Sequence, residues 1–377
     1  MGNTLKKLAI LGSTGSIGQQ TLDVVRNFRD SFQVVGLACN KNTVSFIAQL
    51  QEFSPAFAYI DARAQLPDGI KMLSMENIAS HPDVDIVVIA TTGRAGLAPS
   101  LAALKAGKTV AIANKEILAM AGELITRMAS ECGARILPID SEHSAIWQCL
   151  RGETMDISRL LLTASGGPFF GFSQRKLSNV TVRDALNHPT WKMGRKVTID
   201  SATLFNKGLE TIEARWLFNI PYEKIEIIIH RQSVVHSMIE FIDGSIKAQL
   251  STPDMRLPIQ YALFYPQRVP NGKIAHVNFS DKQTFSFEPV NYDDFPCLKL
   301  ALSAAKKGGA YPAVLCAADE IAVEMFLNNS IGFLDIAHVI EKTLDMHQPI
   351  ANPGIEDILI SDTLARETAV KVARKEI

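Results

Sequence analysis

Two carboxylates and an imidazole follow the apolar run ILPI within four residues: Asp140, Ser141, Glu142 and His143. The run predicts a strand, and the carboxyl ends of strands form the edge of an α/β sheet where ligands bind. Carboxylates two residues apart at this edge can point into one crevice and hold a hard divalent ion through oxygen. Helix capping explains the pair equally well, with Glu142 in the first turn.

A predicted helix further along the chain carries a second group of polar residues. Asp200 and Ser201 predict its start, while Lys207 and Glu210 are three residues apart and share one helical face. Ser201, Asn206 and Lys207 near a helix N-terminus would suit a phosphate monoester. Glu210 would then add a third carboxylate to the metal site, although a solvated Lys207–Glu210 pair is an equally good account.

A loop rich in glycine, proline and aromatic residues separates these two groups. Ser165 and the two glycines after it offer a hydroxyl and close backbone approach, which suits phosphate binding. His188, Trp191 and Met193 predict a lid within a loop of about residues 165–196 that could cover a bound substrate. The alternative is that Trp191 only anchors the loop by packing.

A glycine-rich turn ends the first apolar run of the chain. Gly12, Gly15 and Gly18 form a GxxGxxG pattern that leads into a predicted helix. Glycines are needed where the backbone turns tightly and approaches a pyrophosphate, whose charge the helix N-terminus stabilises. The pattern favours a dinucleotide site over an ordinary strand-to-helix turn.

The end of the second predicted strand distinguishes between dinucleotides. A site for NAD would place Asp or Glu there to bind the ribose 2′-hydroxyl. The chain has Asn40, Lys41 and Asn42 instead. A cation between two amides suits a 2′-phosphate, so the sequence predicts NADP, although a surface lysine is common on its own.

Short apolar runs alternate with amphipathic runs from residue 7 to about 150. This alternation predicts a doubly wound, Rossmann-like α/β domain with a parallel sheet over residues 1–150. A mixed α/β catalytic domain is predicted over 151–285, with a hairpin at Asp243 and Gly244. Apolar spacings of three and four predict a C-terminal helical bundle over 286–377.

Composition favours a small-molecule enzyme inside the cell. The 377 residues are 47% hydrophobic and 20% charged, with a net charge of -1, so nothing favours nucleic acid or an anionic membrane. Neither a signal-peptide pattern nor an apolar run near the roughly 20 residues of a membrane helix occurs. The five widely spaced cysteines predict reduced thiols. We therefore expect a cytoplasmic protein, and the lack of a transit-like extension favours a bacterial cytoplasm.

The motifs resemble those of the 1-deoxy-D-xylulose 5-phosphate reductoisomerase family, and the resemblance extends from the first strand to the C-terminal bundle. The motifs that carry it are GSTGSIG, ANKE, LPIDSEH, SGGPF, HPTWKMG, IDSATLFNKGLE and QSVVHSMIEF. This combination is highly specific. It implies NADPH- and metal-dependent rearrangement and reduction of 1-deoxyxylulose 5-phosphate to 2-C-methylerythritol 4-phosphate, on the non-mevalonate route to isoprenoids, by a homodimer.

The resemblance also implies roles for individual residues. The residues implied to contact NADPH are Thr14, Gly15, Ser16, Ile17, Asn40, Lys41, Asn42, Asn114, Glu116 and Gly194. The implied ligands of Mg²⁺ or Mn²⁺, with Co²⁺ as a further candidate, are Asp140, Glu142 and Glu210. The implied phosphate ligands are Ser165, Ser201, Asn206 and Lys207. The implied contacts to the rest of the substrate are Lys115, Ser141, Glu142, His188 and Glu210. The expected catalytic set is Lys115, Asp140, Glu142, His188 and Glu210.

Three positions depart from the family pattern. Phe205 stands in place of an expected methionine, Arg231 in place of a proline and Asp319 in place of an asparagine. None is a ligand in the implied site, so the departures concern local packing. Two alternative functions need fewer of the motifs: an NADP-dependent dehydrogenase of a phosphorylated aldehyde, which needs no metal site, and a non-catalytic nucleotide sensor, which needs neither carboxylates nor lid.

Overall fold

A computed structural model describes residues 5–41, 44–61, 66–280 and 282–377. The chain divides into two compact units. The first comprises the described residues of Met1–Ile117, Glu123–Ser144 and Asp254–Ala275, and the second those of Leu118–Gly122, Ala145–Pro253 and His276–Ile377. The predicted boundaries at residues 150 and 285 remain a prediction about function, because compactness alone does not define functional domains.

The first unit contains a parallel sheet of seven strands in the order β4-β3-β2-β1-β5-β6-β7. The strands are β1 (Lys6–Leu11), β2 (Phe32–Cys39), β3 (Phe57–Ile60), β4 (Lys71–Met72), β5 (Ile86–Ile89), β6 (Thr109–Ile112) and β7 (Arg135–Pro138). The strand order reverses between β1 and β5, as in a dinucleotide-binding fold. The predicted Rossmann-like sheet is confirmed, and only the two-residue strand β4 was not expected.

Helices alternate with these strands. They are α1 (Ser16–Asn27), α2 (Val44–Phe53), α3 (Met75–Ala79), α4 (Leu97–Lys105), α5 (Lys115–Glu131) and α6 (Ser141–Cys149). Helix α1 buries Gly18, Leu22 and Val25, whose spacings of four and three place them on one face. The short helix α3 lies outside the predicted elements because five residues are too few to show a helical period.

The second unit is built on a mixed sheet of five strands in the order β11-β10-β8-β9-β12. The strands are β8 (Ile157–Ala164), β9 (Ile225–Ile229), β10 (Val235–Phe241), β11 (Ile246–Leu250) and β12 (Glu288–Pro289). Strands β8 and β9 are parallel, whereas β10 pairs antiparallel with both β8 and β11. The predicted hairpin at Asp243 and Gly244 is confirmed, with Gly244 at a φ of 83°.

The remaining helices of the chain complete the two units. They are α7 (Gln174–Leu177), α8 (Val182–Ala185), α9 (Arg195–Ala202), α10 (Phe205–Phe218), α11 (Arg256–Phe264), α12 (Pro296–Lys307), α13 (Tyr311–Leu327), α14 (Asp335–Asp345) and α15 (Ile355–Ala373). Helix α11 belongs to the first unit, where Phe264 packs edge-on against Phe28 and Phe32. No helix within the described residues is both long enough and apolar enough to span a membrane.

The predicted helix start at Ser201 is wrong. Ser201 lies in the last turn of α9, and α10 begins four residues later at Phe205. Leu204 separates the helices because its backbone is left-handed, with a φ of 55°. Leucine rarely adopts this conformation, so the sequence carries no signal for the break.

Candidate active site

The glycine turn is built by close backbone approach. A Cβ atom on Gly12 would collide with the Ala90 carbonyl, and one on Gly18 would collide with the Gly12 carbonyl. The backbone amides of Gly12 and Ser13 both donate to the Ala38 carbonyl at 2.9 Å, which ties the end of β1 to β2. The turn therefore has room for backbone only, which is the property that a pyrophosphate site needs.

The predicted cofactor contacts of this turn lie at the N-terminus of α1, where Gly15 is the cap residue. Gly15 and Ser16 are exposed, whereas Thr14 and Ile17 are half-buried. Exposed amides at a helix N-terminus favour an anionic ligand. Asn40 and Lys41 follow β2 and are exposed, whereas Asn42 lies outside the described residues.

Asn114 fixes the end of β6. Its Oδ1 accepts the Ile117 amide at 3.2 Å, which caps α5, and its Nδ2 donates to the Gly93 carbonyl at 2.8 Å. Lys115 and Glu116 follow in the first turn of α5, and both are buried. The cap thus fixes the position from which the Lys115 side chain extends.

Neighbouring strands bring Lys115 and Asp140 together. Because β6 and β7 are parallel and Ile112 pairs with Pro138, the residues after both strands meet at one edge of the sheet. The Lys115 Nζ lies 2.6 Å from Asp140 Oδ2. Asp140 Oδ1 accepts the Ser141 amide at 3.0 Å, so one carboxylate oxygen stabilises the start of α6 and the other faces a cation.

The adjacent carboxylate and imidazole complete this group. The Ser141 hydroxyl donates to Glu142 Oε2 at 2.6 Å. His143 is fully buried, with its Nδ1 at 3.8 Å from Asp140 Oδ2. Lys115, Asp140, Ser141 and Glu142 thus form one charged group at the sheet edge, where capping and cation binding use different oxygens of Asp140.

Helix α10 presents a second charged group, in the second unit. Asn206 Nδ2 donates to Glu210 Oε1 at 2.6 Å, and Lys207 Nζ pairs with Glu210 Oε2. Lys207 and Glu210 are 3% and 1% exposed, so the pair is not the solvated surface pair of the alternative account. Buried charges persist only when opposite charges or hydrogen bonds compensate for their lost hydration.

His188 joins the two predicted phosphate serines. Its Nε2 lies 2.9 Å from Ser165 Oγ and 3.1 Å from Ser201 Oγ. Its Nδ1 accepts the amides of Thr190 and Trp191, at 3.2 and 2.9 Å. An acceptor at Nδ1 places the proton of the neutral ring on Nε2, so the imidazole donates toward the serine hydroxyls.

Burial, followed by the positive charge of Arg231, lowers the pKa of His188 to about 4. The ring is therefore neutral at physiological pH. The Trp191 ring packs against His236 with centroids 5.9 Å apart, and the Thr190 and Ser233 hydroxyls lie 3.3 Å apart. These contacts favour Trp191 as an anchor, and the lid stays a prediction. Gly194 is the exposed cap residue of α9.

Arg231 is the site neighbour that the sequence did not assign. Its Nη1 donates to the carbonyls of Ser165 and Gly167, at 3.0 and 2.9 Å. The only sequence signal was its departure from the family pattern. The other two residues that depart from the family pattern, Phe205 and Asp319, both lie beside Lys196. Its Nζ is 2.8 Å from Asp319 Oδ2 and 5.4 Å from the centre of the Phe205 ring.

A parallel sheet whose strand order reverses beside a close-packed glycine turn defines an α/β protein of the dinucleotide-binding class. Three family descriptions match the chain. They are 1-deoxy-D-xylulose 5-phosphate reductoisomerase at residues 8–122, its C-terminal domain at 136–218, and a DXP reductoisomerase C-terminal domain at 250–368.

Relatives and solved structures match nearly the whole chain. The 1-deoxy-D-xylulose 5-phosphate reductoisomerase of Chlorobium chlorochromatii is 50% identical over 97% of this chain and 99% of its own. That of Pelotomaculum thermopropionicum is 47% identical over 98% and 99%. A crystal structure of DOX-P reductoisomerase with NADPH, fosmidomycin and magnesium matches with a TM-score of 0.92, at 40% identity over 98% of each chain. The enzyme from Zymomonas mobilis with NADPH gives 0.88 at 40% identity, over 98% and 99%.

The chain belongs to the 1-deoxy-D-xylulose 5-phosphate reductoisomerase family. The predicted family, enzyme class and function are therefore confirmed: the protein is a reductoisomerase of the non-mevalonate route to isoprenoid precursors.

Proposed function

We propose that this reductoisomerase binds its divalent ion through Asp140, Glu142 and Glu210. The enzyme uses NADPH and a divalent metal. The observation that supports the assignment is the carboxylate set itself: Asp140 and Glu142 lie at the start of α6, directly after β7, and Glu210 is a 1% exposed carboxylate on α10. Carboxylate oxygens are the donors that Mg²⁺ and Mn²⁺ prefer, so the residue types fit the ion.

The substrate phosphate lies, in this proposal, against Ser165, Ser201, Asn206 and Lys207. Two serine hydroxyls share the His188 Nε2 proton, and Lys207 supplies a buried cation at the start of α10. A dianionic phosphate is stabilised by such charge-assisted hydrogen bonds. His188 acts as a neutral donor, because its Nδ1 is occupied by two backbone amides.

The nicotinamide dinucleotide is proposed to bind at the glycine turn. The N-terminus of α1, where Gly15 and Ser16 are exposed, suits its pyrophosphate, and Lys41 suits the 2′-phosphate. The other proposed cofactor contacts are Thr14, Ile17, Asn40, Asn42, Asn114, Glu116 and Gly194. The proposed cofactor contacts in the first unit come directly after strands β1, β2 and β6 in the sequence.

The reaction rearranges the carbon skeleton of an α-hydroxyketone and then reduces the resulting aldehyde by hydride transfer from NADPH and addition of a proton. When bound, the divalent ion supplies Lewis-acid stabilisation of neighbouring substrate oxygens. Lys115, buried and fixed behind the Asn114 cap, is the proposed cation beside the reacting oxygens. Ser141 is proposed to contact the same part of the substrate.

The phosphate contacts have a second role in this mechanism. They hold one end of the substrate so that its carbon fragments recombine in one orientation, which makes the rearrangement effectively intramolecular. The loop containing His188 and Trp191 is proposed to exclude water as a lid. We also propose that residues 1–150, 151–285 and 286–377 act as NADPH-binding, catalytic and helical regions, in a cytoplasmic enzyme.

A homodimer through strand β11 is part of the proposal. This strand is at the edge of its sheet, and Ile242, Ile246 and Leu250 beside or within it are 72%, 52% and 37% exposed. An apolar edge strand pairs readily with another chain. Sedimentation velocity of Ile246→Lys tests this: we expect a shift from dimer toward monomer, whereas an unchanged dimer would place the interface elsewhere.

NADPH oxidation with 1-deoxyxylulose 5-phosphate, before and after chelation, tests the metal dependence on which this assignment rests. We expect oxidation that stops on chelation and returns with Mg²⁺ or Mn²⁺. Oxidation without metal would favour a dehydrogenase of a phosphorylated aldehyde. NADPH binding without oxidation under any metal would favour the nucleotide sensor.

A further inference from the structure

Arg231 contacts the turn of Ser165, Gly166 and Gly167, here called the phosphate turn, from its carbonyl side. A single guanidinium nitrogen, Nη1, donates to the Ser165 and Gly167 carbonyls at 3.0 and 2.9 Å. The guanidinium carbon lies 5.3 Å from the centre of the Phe170 ring. Arg231 thus links both ends of the turn to the aromatic side chain that follows it.

The turn needs such support because its backbone is unusual. Gly166 and Gly167 both have left-handed conformations, with φ of 79° and 65°. A Cβ on Gly167 would lie 2.5 Å from the Ser201 carbonyl, so the turn packs closely against α9. Two consecutive left-handed glycines lose much conformational freedom on folding, and hydrogen bonds to their flanking carbonyls offset part of that loss.

The backbone at Arg231 is fixed by the preceding residue, His230. His230 is fully buried, and its Nε2 accepts the amides of Val234 and Val235 at 3.2 and 3.1 Å. Its Nδ1 lies 2.9 Å from the Ser286 carbonyl, so the proton resides on Nδ1. The ring also stacks on Phe287 with centroids 4.8 Å apart. Arg231 therefore extends from a rigid strand end.

The guanidinium also lies close enough to influence His188. The imidazole faces hydroxyls on two elements, Ser165 after β8 and Ser201 on α9, and backbone amides at Thr190 and Trp191. The charge that acts on it is that of Arg231, which lowers the His188 pKa together with burial. A positive charge on the ring is thus disfavoured.

We propose that Arg231 is a positioning residue that holds the phosphate turn in its binding conformation and keeps His188 in its neutral, Nε2-protonated form. The proposal rests on the phosphate-binding site proposed above, here called the phosphate seat, which consists of Ser165, Ser201, Asn206 and Lys207. Arg231 acts through Ser165 and His188, and its charge, added near the seat, favours a dianionic phosphate over a monoanion. The inference concerns how this chain recognises a phosphorylated ketose.

Steady-state kinetics of Arg231→Met and Arg231→Lys, across pH, test the proposal. Arg231→Met should raise the KM for 1-deoxyxylulose 5-phosphate about tenfold, as expected for losing charge-assisted hydrogen bonds, while the KM for NADPH stays unchanged. The acid limb of kcat/KM should move to higher pH. Removing the Arg231 charge raises the His188 pKa, so the ring becomes protonated at a higher pH as the pH falls. Arg231→Lys should restore the acid limb while restoring the KM only in part, because lysine keeps the charge but not the planar face.

Matched variants separate this proposal from the phosphate seat itself. Arg215 is the matched control, because it also stacks on an aromatic ring, Trp216, and also donates a hydrogen bond, to Asn219. Arg215→Met should leave the substrate KM and the acid limb unchanged. Ser165→Ala should raise the substrate KM. If Ser165→Ala raises the substrate KM while a folded Arg231→Met keeps wild-type kinetics and an unshifted acid limb, the role of Arg231 is overturned and the phosphate seat stands. Wild-type behaviour in both variants would overturn the phosphate seat as well.

Discussion

The two units differ in what their proposed binding sites are built from: backbone in the first unit and side chains in the second. In the first unit, the glycine turn is backbone: Gly12 and Gly18 leave no room for side chains, and Gly15 and Ser16 at the start of α1 are exposed. In the second unit, Lys207 and Glu210 are buried side chains paired with each other, and His188 is a half-buried side chain beside the Ser165 and Ser201 hydroxyls. In the proposed sites, the dinucleotide would meet a turn built of backbone, whereas the substrate phosphate would meet paired charges.

This contrast predicts different weaknesses. A backbone-built turn should tolerate changes of nearby charge and fail when atoms are added. A site of paired charges should fail when one charge is removed, because its partner is left buried and uncompensated. Four substitutions test that contrast, three of them beside a comparison variant, and the expected effects of the four decrease from the first to the last.

Glu210→Gln should have the largest effect. The variant loses a carboxylate proposed to bind metal, so we expect turnover to fall by about 10³-fold or more, as expected for losing several kcal/mol of transition-state stabilisation. NADPH binding, measured by fluorescence titration, should change little. Glu324→Gln on the exposed side of α13 is the matched control. Normal turnover in Glu210→Gln would remove this residue from the metal site.

Lys196→Met extends the comparison from binding to stability. Lys196 lies between Asp200 and Asp319, at 2.8 Å from each, and both carboxylates are buried. Removing the lysine should lower the free energy of unfolding by about 3–5 kcal/mol, because two buried carboxylates lose their shared cation. Urea denaturation measures the change.

Lys299→Met provides the contrast for that measurement. Its pair with Asp293 is exposed, so the cost should stay below about 1 kcal/mol. Equal losses in Lys196→Met and Lys299→Met would mean that burial does not decide the strength of these pairs.

Gly18→Ala tests the backbone-built turn. The added Cβ would collide with the Gly12 carbonyl, so we expect a loss of about 1–3 kcal/mol in stability and weaker NADPH binding. In Gly15→Ala the nearest atom lies at 3.3 Å, and the effect should be smaller. The KM for NADPH and thermal unfolding are the measurements. If Gly15→Ala were the more damaging variant, steric closeness would not explain the turn.

Of these four substitutions, Lys41→Glu should have the smallest effect. Lys41 is exposed, so the reversal should leave stability unchanged. The KM for NADPH should rise about tenfold and that for NADH much less, because only NADPH carries the 2′-phosphate. An unchanged ratio of the two values would show that Lys41 does not bind this phosphate.

The same contrast explains what the sequence could predict. The alternation of strands and helices and the GxxGxxG turn follow local rules, so the sheet and the turn were predictable. The break at Leu204 was not, because its left-handed backbone has no residue signature. Nor was the role of Arg231, whose partners Ser165 and Gly167 lie more than sixty residues earlier in the chain. Contacts of that kind depend on the folded sheet.

Helix α11 has a consequence for how this protein can be divided. The first unit includes Asp254–Ala275, a stretch that returns to it after the chain has formed much of the second unit. A gene fragment ending near residue 150 would encode the glycine turn without Phe264, and would leave Phe28 and Phe32 without the ring that packs against both. Exchanging the nucleotide-binding part between related enzymes therefore requires two coding fragments. Recombination at a single crossover would separate elements that fold together.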